Sequence, residues 1–188
     1  PWAINGNQMN ESNQLTKDNP FWKFSLEFYG RDGVADACLT LQDQFGADVN
    51  ILLYCCWVAF AHGEKLEQAE LAEIMAVIEP WQTGVVQQLR QIRQDLKQNE
   101  TINLGELSED LRQAIKSCEL DGEKIEQWVL YQSGQRELPD LATSNEIKSA
   151  EYGQLAELSM INYLGVVSGS LLENGESFIR TISQALKS

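Results

Sequence analysis

Residues 48–63 read DVNILLYCCWVAFAHG, and the ten residues from Ile51 to Phe60 include no charged side chain. Asp48 is a favoured residue at a helix N-cap, and Gly63 is a favoured residue just beyond a helix end. A buried strand is the other structure open to such an apolar run, but the cap, the length and the glycine favour a helix. Because this helix is apolar on all sides, we expect it at the centre of a bundle, covered by its neighbours.

The segments on either side show helical rather than alternating periodicity. They predict helices over residues 19–30, 34–45, 49–62, 66–78, 81–98, 106–132, 146–172 and 175–186. Pro80 is expected to end the fourth helix, since proline breaks helical hydrogen bonding. The sixth helix is expected to turn seven residues inward: Leu107, Leu111, Ala114, Ile115, Cys118, Ile125 and Val129. The predicted fold is all-α, a single-domain bundle of seven to eight helices in which the fifth and sixth form a long antiparallel hairpin.

Domain organisation is expected to be simple. Residues 1–18 are predicted to be a flexible segment. Residues 1–8 precede Met9, which resembles a natural start, and are expected to be foreign to the natural protein. Residues 19–188 are expected to form one helical domain, with a linker near residues 133–145.

The charge of the chain argues against several classes of partner. The 188 residues carry 28 acidic and 14 basic side chains, a net charge of −14, and 15 of the acids lie in residues 100–188. Such a surface repels phosphate backbones, so we expect no nucleic-acid partner. The longest charge-free stretch in the C-terminal half, residues 158–172, is too short to span a bilayer, so no membrane insertion is expected.

The cysteine and histidine inventory points to neither a metal site nor a catalytic one. The four cysteines form no C-x-x-C pair and the chain has one histidine, so the usual zinc ligand sets are missing. Reduced, buried thiols fit a cytoplasmic location. No phosphate-binding glycine loop and no nucleophile motif is found. We therefore expect no cofactor, no metal and no catalytic residues.

A polar turn between the second and third helices supplies the first candidate binding residues. It contains Gln42, Asp43, Asp48 and Asn50. Asp48 is explained as an N-cap, but amides and carboxylates within helices need partners when they are buried. Two interpretations stay open, an internal hydrogen-bond network and a site for a ligand or partner.

A cationic stripe on the fifth helix supplies the second set, Arg90, Arg93 and Lys97. Their spacing of three and four residues places them on one helical face. One interpretation is pairing with acids of the sixth helix, for which Glu109, Glu119 and Glu123 are candidates. The other is docking of an acidic partner or an anionic ligand.

Several separated motifs resemble a proteobacterial family of uncharacterised proteins, known mainly as a domain of unknown function. They are Phe21-Trp22-x-Phe24-x-Leu26-x-x-Tyr29, Gly33-Val34-Ala35-x-Ala37-Cys38-Leu39-x-Leu41-Gln42-Asp43, Gly46-Ala47-Asp48-Val49-Asn50-x-Leu52-Leu53, Pro80-Trp81, Leu89-Arg90-x-x-Arg93-x-x-Leu96-Lys97, Glu119-Leu120 and Glu126-Gln127. The resemblance covers roughly residues 19–132 and implies the fold but no activity. Trp81, which belongs to one of these motifs, is the last candidate binding residue.

The function expected from these features is that of a non-catalytic cytoplasmic interaction or scaffold protein. Its partner would be an unidentified protein, with self-association as one form of this. The alternative is a small-molecule binder or enzyme with a pocket beside the apolar third helix. Five aromatic residues are candidates to line such a pocket: Trp22, Tyr29, Tyr54, Trp57 and Trp81.

Overall fold

A computed structural model of the chain describes residues 19–134, 149–168 and 175–186. Within these residues the helices are α1 (Pro20–Tyr29), α2 (Val34–Phe45), α3 (Val49–His62), α4 (Gln68–Trp81), a π-helical turn (Gln82–Val86), α5 (Gln87–Gln98), α6 (Glu106–Ser133), α7 (Ser149–Ser168) and α8 (Glu176–Ala185). The prediction of an all-α bundle is confirmed. The expectations for residues 1–18, for the linker beyond residue 134 and for the seventh helix after residue 168 lie outside the described residues.

The apolar helix α3 is the centre of the bundle, as its sequence predicts. Its ten residues from Asn50 to Ala59 are all buried. Helices α1, α2, α6 and α7 pack around it, and α8 packs against α2 and α7. A fully buried leucine or isoleucine contributes about 1.5–3 kcal/mol, so α3 dominates the apolar core.

Capping residues fix where α1 begins and where α3 begins and ends. The side-chain oxygen of Asn19 accepts from the Trp22 N–H at 2.8 Å, and Pro20 occupies the first helical position. Helix α3 begins at Asp48, whose carboxylate accepts from the Asn50 N–H at 2.7 Å. It ends at Gly63 with φ +64°, a left-handed conformation that glycine adopts without steric cost.

The expected stop at Pro80 is wrong. Helix α4 continues through Pro80 to Trp81, and the chain stays helical through the π-helical turn into α5. In that turn the Gln87 N–H bonds to the Gln82 carbonyl, one residue further back than in an α-helix. A proline removes one hydrogen bond, and a wider turn next to it lets the helical path continue.

Helices α5 and α6 form the predicted antiparallel hairpin, but the inward face of α6 is only partly as expected. Ile115, Ile125 and Val129 are half-buried, whereas Leu107, Leu111, Ala114 and Cys118 are exposed. The prediction of an inward face is therefore wrong for most of the first half of α6. The first half of α6 has no helix packed over these residues within the described structure, so they find no core to enter.

Gly122 lets α6 pack closely against the π-helical turn. It is buried, and a Cβ built there would lie 3.4 Å from a methyl group of Val86. The missing side chain lets α6 approach the π-helical turn closely. No helix among the described residues is long and apolar enough to cross a membrane.

Candidate functional site

A cleft of about 660 Å³ lies between α1, the turn that joins α2 to α3, and the α5–α6 hairpin. Its volume is typical of small-molecule sites. Its apolar and aromatic lining residues are Trp22, Leu26, Tyr29, Leu39, Val49, Leu53 and Leu120. Its polar lining residues are Ser25, Gln42, Asp43, Asp48, Asn50, Arg90, Arg93, Gln94, Lys97, Gln98, Glu119, Glu123 and Gln127. The polar turn and the cationic stripe, separate in the sequence, are therefore two walls of one cleft.

Trp81 is the candidate residue that this cleft does not include. Its indole N–H donates to the Gly122 carbonyl at 2.9 Å, and the side chain is half-buried between α4 and α6. Of the aromatic residues expected in a pocket, Trp22 and Tyr29 line the cleft, while Tyr54 and Trp57 belong to the core.

Arg90 connects three elements at one wall of the cleft. Its Nε donates to Glu119 at 2.9 Å, one terminal nitrogen donates to Glu123 at 2.7 Å, and the other donates to the Gln42 side chain at 3.0 Å. Arg93 also donates to Glu119. Pairing within the chain, one of the two interpretations of the stripe, is thus found for both arginines. Glu109 pairs instead with Arg112, three residues along α6.

The two glutamates that pair with the arginines differ in the direction in which their pKa is shifted. Burial alone raises the pKa of Glu119, but hydrogen bonds from Arg93 and Arg90 outweigh it and hold this pKa below its usual value. For Glu123, burial is the larger effect, and its pKa is raised despite the neighbouring Arg90. Glu119 is therefore the firmly ionised partner of the arginines.

The floor of the cleft is a chain of buried polar side chains. The Asn50 amide donates to Glu126 at 3.1 Å, and its oxygen accepts from Gln127 at 2.8 Å. Glu126 is 0% exposed and Gln127 is 2% exposed. The internal network considered for Asn50 is thus present, and it joins α3 to α6.

Asp48 and Glu126 form a buried pair of carboxyl groups beside this floor. Burial, reinforced by the charge of Asp48, raises the pKa of Glu126 to about 9, and burial also raises the pKa of Asp48. Two carboxylates this close cannot both ionise at low cost. At neutral pH the Glu126 carboxyl therefore keeps its proton, and the pair avoids carrying two negative charges.

Two buried side-chain oxygens at the floor have no hydrogen-bond partner within the protein, Oε2 of Glu126 and Oε1 of Gln127, and of these two residues Gln127 lines the cleft. The side-chain oxygen of Gln127 is buried, accepts no hydrogen bond, and belongs to a residue that lines the cleft. A buried acceptor left unpaired costs about 1–3 kcal/mol. This oxygen is the point at which the cleft can offer a hydrogen bond to a guest molecule.

Sequence reasoning did not select Glu126 and Gln127 as site residues. They occur as an adjacent pair in one of the motifs that resemble the uncharacterised family. Glu119 and Glu126 are seven residues apart, so both lie on one face of α6. That spacing was the available signal, but it does not show that the face meets Asn50, 76 residues earlier in the chain.

The described residues hold no group of three or more His, Cys, Asp or Glu side chains arranged to bind a metal ion. The cysteines among them are free, and Cys38, Cys55 and Cys56 are buried. Burial raises the pKa of Cys38 to about 12 and raises the pKa of both neighbouring core thiols, Cys55 and Cys56. These three thiols are therefore protonated and unreactive at neutral pH.

Comparisons with known proteins place the chain in a family. Searches of curated proteins and of solved structures gave no significant match. A family model described as "Protein of unknown function (DUF2390)" matches residues 20–130, which include α1 to α5, most of α6 and all lining residues of the cleft. The match covers more than half of the chain, in the region where the sequence motifs resemble such a family. The chain therefore belongs to the DUF2390 family of proteins of unknown function.

Proposed function

We propose that this chain is a non-catalytic binding protein whose cleft holds a small molecule bearing hydrogen-bond donors. The unpaired side-chain oxygen of Gln127, buried at the floor of the cleft, is the observation that carries the proposal. A ligand N–H or O–H that reaches this oxygen would remove the cost of the unpaired acceptor. Affinity would then depend strongly on the presence of that donor.

The charges of the cleft favour an amine or an amide over an anion. Four carboxyl side chains line it, against three cations: Asp43, Asp48, Glu119 and Glu123, against Arg90, Arg93 and Lys97. Both arginines are already paired with glutamates, and the chain as a whole carries −14. An anionic ligand would therefore meet net repulsion.

The opposite wall suits an apolar or aromatic ligand body. Trp22, Tyr29 and Leu53 line that wall. Lys124 lies over the Trp22 ring, with its Nζ 5.4 Å from the ring centroid, which helps hold the indole in place. A small molecule with a donor head and an aromatic body matches both walls.

Three aromatic probes of equal size test this proposal: benzylamine, benzamide and benzoate. We expect ligand-observed NMR with the full chain to show saturable binding of benzylamine or benzamide and not of benzoate. Gln127→Met, which removes the unpaired oxygen at similar length, should abolish that binding. Gln91→Met makes the same change on the exposed side of α5 and should leave it intact.

Two results would overturn the proposal. One is binding of benzoate that equals binding of the amine. The other is absence of saturable binding by both donor-bearing probes. Turnover of such a compound that disappears in Glu126→Gln while binding persists would instead establish the catalytic alternative, with the Asp48–Glu126 pair as its acid and base.

A cytoplasmic location and a protein partner are further parts of the proposal. The free cysteines, three of them buried, support a reducing compartment. The exposed leucines of α6 support a protein partner. Cell fractionation with an antibody to the chain would test the location.

A further inference from the structure

The first half of α6 carries an apolar seam that no part of the described structure covers. Leu107 is 84% exposed and Leu111 54%, and Ala114 and Cys118 are exposed as well. These four residues, called the α6 seam below, are spaced by four, three and four. That is the spacing by which a helix presents one narrow apolar face to a partner helix.

We propose that the α6 seam binds the α6 seam of a second copy of this chain, in antiparallel orientation. The sizes of the side chains in the seam indicate a second copy as the partner. The large residues Leu107 and Leu111 occupy the N-terminal half of the seam, and the small residues Ala114 and Cys118 occupy the C-terminal half. An antiparallel pair places Leu111 opposite Ala114 and Leu107 opposite Cys118, so each large side chain meets a small one.

The symmetry of such a pair doubles every contact. In a twofold interface the same patch serves both subunits, so Leu107 of one copy meets Cys118 of the other and the reverse holds too. Parallel pairing would instead put Leu107 against Leu107 and Ala114 against Ala114, leaving a gap between the small residues. The antiparallel register therefore fills space better with the same residues.

The charge distribution allows two copies to approach at this part of the surface. Residues 87–118 contain five basic and five acidic side chains, so the −14 of the chain lies wholly outside them. Two copies that meet at these residues therefore bring no net charge of either sign to the contact. Asp110 and Ser117 flank the seam on one side, and the antiparallel register places Asp110 of one copy near Ser117 of the other, so the two Asp110 side chains do not face each other.

This inference specifies the proposed protein partner and is independent of the ligand of the cleft, because no residue of the α6 seam lines the cleft. A chain that binds benzylamine as a monomer would refute self-association alone. A dimer without affinity for the probes would refute the ligand alone.

Disulfide trapping tests both the partner and its register. Leu107→Cys should form a covalent dimer with Cys118 of the second copy under mild oxidation. Within one helix these positions are about 16 Å apart, and a disulfide needs Cα atoms within about 7 Å, so the bond cannot form inside one chain. The control Leu107→Cys/Cys118→Ser should not crosslink. Crosslinking in that control, or none in Leu107→Cys, would overturn the antiparallel seam.

Sedimentation velocity of the full chain gives an independent measurement. We expect a dimer, and Leu111→Glu should raise its dissociation constant by about tenfold or more. Leu111 is exposed, so this variant should keep the wild-type circular dichroism spectrum. Val77→Glu also replaces an exposed apolar residue by glutamate, on α4, and should not alter the dimer. A wild-type chain that sediments as a monomer at all concentrations would overturn the proposal.

Discussion

The backbone N–H of Asp48 donates a 2.7 Å hydrogen bond to the hydroxyl of Tyr163, 115 residues further along the chain. Asp48 lies within the segment that defines the family, and Tyr163 lies on α7, outside it. The same Asp48 caps α3 with its carboxylate and lines the cleft. Helix α7 therefore helps hold a cleft residue in place from behind.

Tyr163→Phe tests this connection. Tyr163 is almost fully buried, so the variant leaves the Asp48 N–H without an acceptor and should lower the free energy of unfolding by about 1–2 kcal/mol. Tyr152→Phe removes a hydroxyl from a half-buried residue of the same helix and should cost much less. Urea denaturation of the two variants measures the difference. Equal losses would show that the bond to Asp48 contributes nothing specific.

Glu126→Gln tests the shared proton of the carboxyl pair. Because the pKa of Glu126 is about 9 in the folded chain, against an ordinary 4.5, its contribution to stability is full below the ordinary value and is lost as pH rises through about 9. The wild type should therefore lose stability between these values, by up to about 1.4 kcal/mol per pH unit from this group. The side-chain amide that the substitution introduces does not ionise, so the variant should lack this slope.

Stability curves of both proteins between about pH 5.5 and about pH 8.5 measure that slope. The raised pKa of Asp48 acts in the same direction, so the comparison with the variant is needed to isolate Glu126. A difference between wild type and variant that stays constant over this range would contradict a protonated Glu126.

Arg90→Met tests whether the hydrogen bonds of Arg90 stabilise the cleft wall. The change keeps an apolar stem but leaves Glu123 without its arginine and Gln42 without its donor. Breaking a partly buried ion pair in this way should lower the free energy of unfolding by about 2–3 kcal/mol. Arg112→Met breaks a pair within α6 whose carboxylate, that of Glu109, is 47% exposed, and it should have little effect. Similar shifts of the urea midpoint for the two variants would contradict a structural role for Arg90.

Two glycines give opposite expectations for the same substitution. A Cβ at Gly134 would overlap the hydroxyl oxygen of Tyr54, a buried residue of α3. Gly134→Ala should therefore destabilise the fold by about 1–3 kcal/mol through overpacking. A Cβ at Gly84 meets nothing within 4 Å, so Gly84→Ala should stabilise the helical turn by about 0.5–1 kcal/mol. Thermal melts of both variants check the signs.

Local signals in the sequence account for most of the fold. The capping residues Asp48 and Gly63 each depend on backbone geometry within a few residues, and both act as predicted. The prediction that Pro80 ends α4 was wrong because a π-helical turn follows the proline and keeps the chain helical. No sequence pattern predicts such a turn.

The inward face predicted for α6 failed for a different physical reason. The spacing of Leu107, Leu111, Ala114 and Cys118 shows that the helix has an apolar face, but spacing cannot tell which surface covers it. A seam that packs on its own core and a seam that packs on another molecule look the same in one sequence.

Some residues of the candidate site could be predicted from the sequence and others could not. Asp48 and Asn50 stood out as polar residues between two apolar helices, and Arg90 stood out as part of a cationic stripe in an acidic chain. Glu126 and Gln127 did not, because acidic and amide residues on a long helix resemble a solvated surface. Only the contact with Asn50 places them inside the protein.

Helix α7 also bonds to the backbone that joins α3 to α4. The Leu66 N–H donates to the Ser159 hydroxyl, and the Leu66 carbonyl accepts from the Asn162 amide, both at 2.9 Å. The segment that identifies the family ends at residue 130, before this helix begins. The segment by which the family is recognised is thus shorter than the part of the chain that packs together in the fold. A relative with a different C-terminal part would need another helix to satisfy the backbone at this position and to shield the side of α3 that α7 covers here.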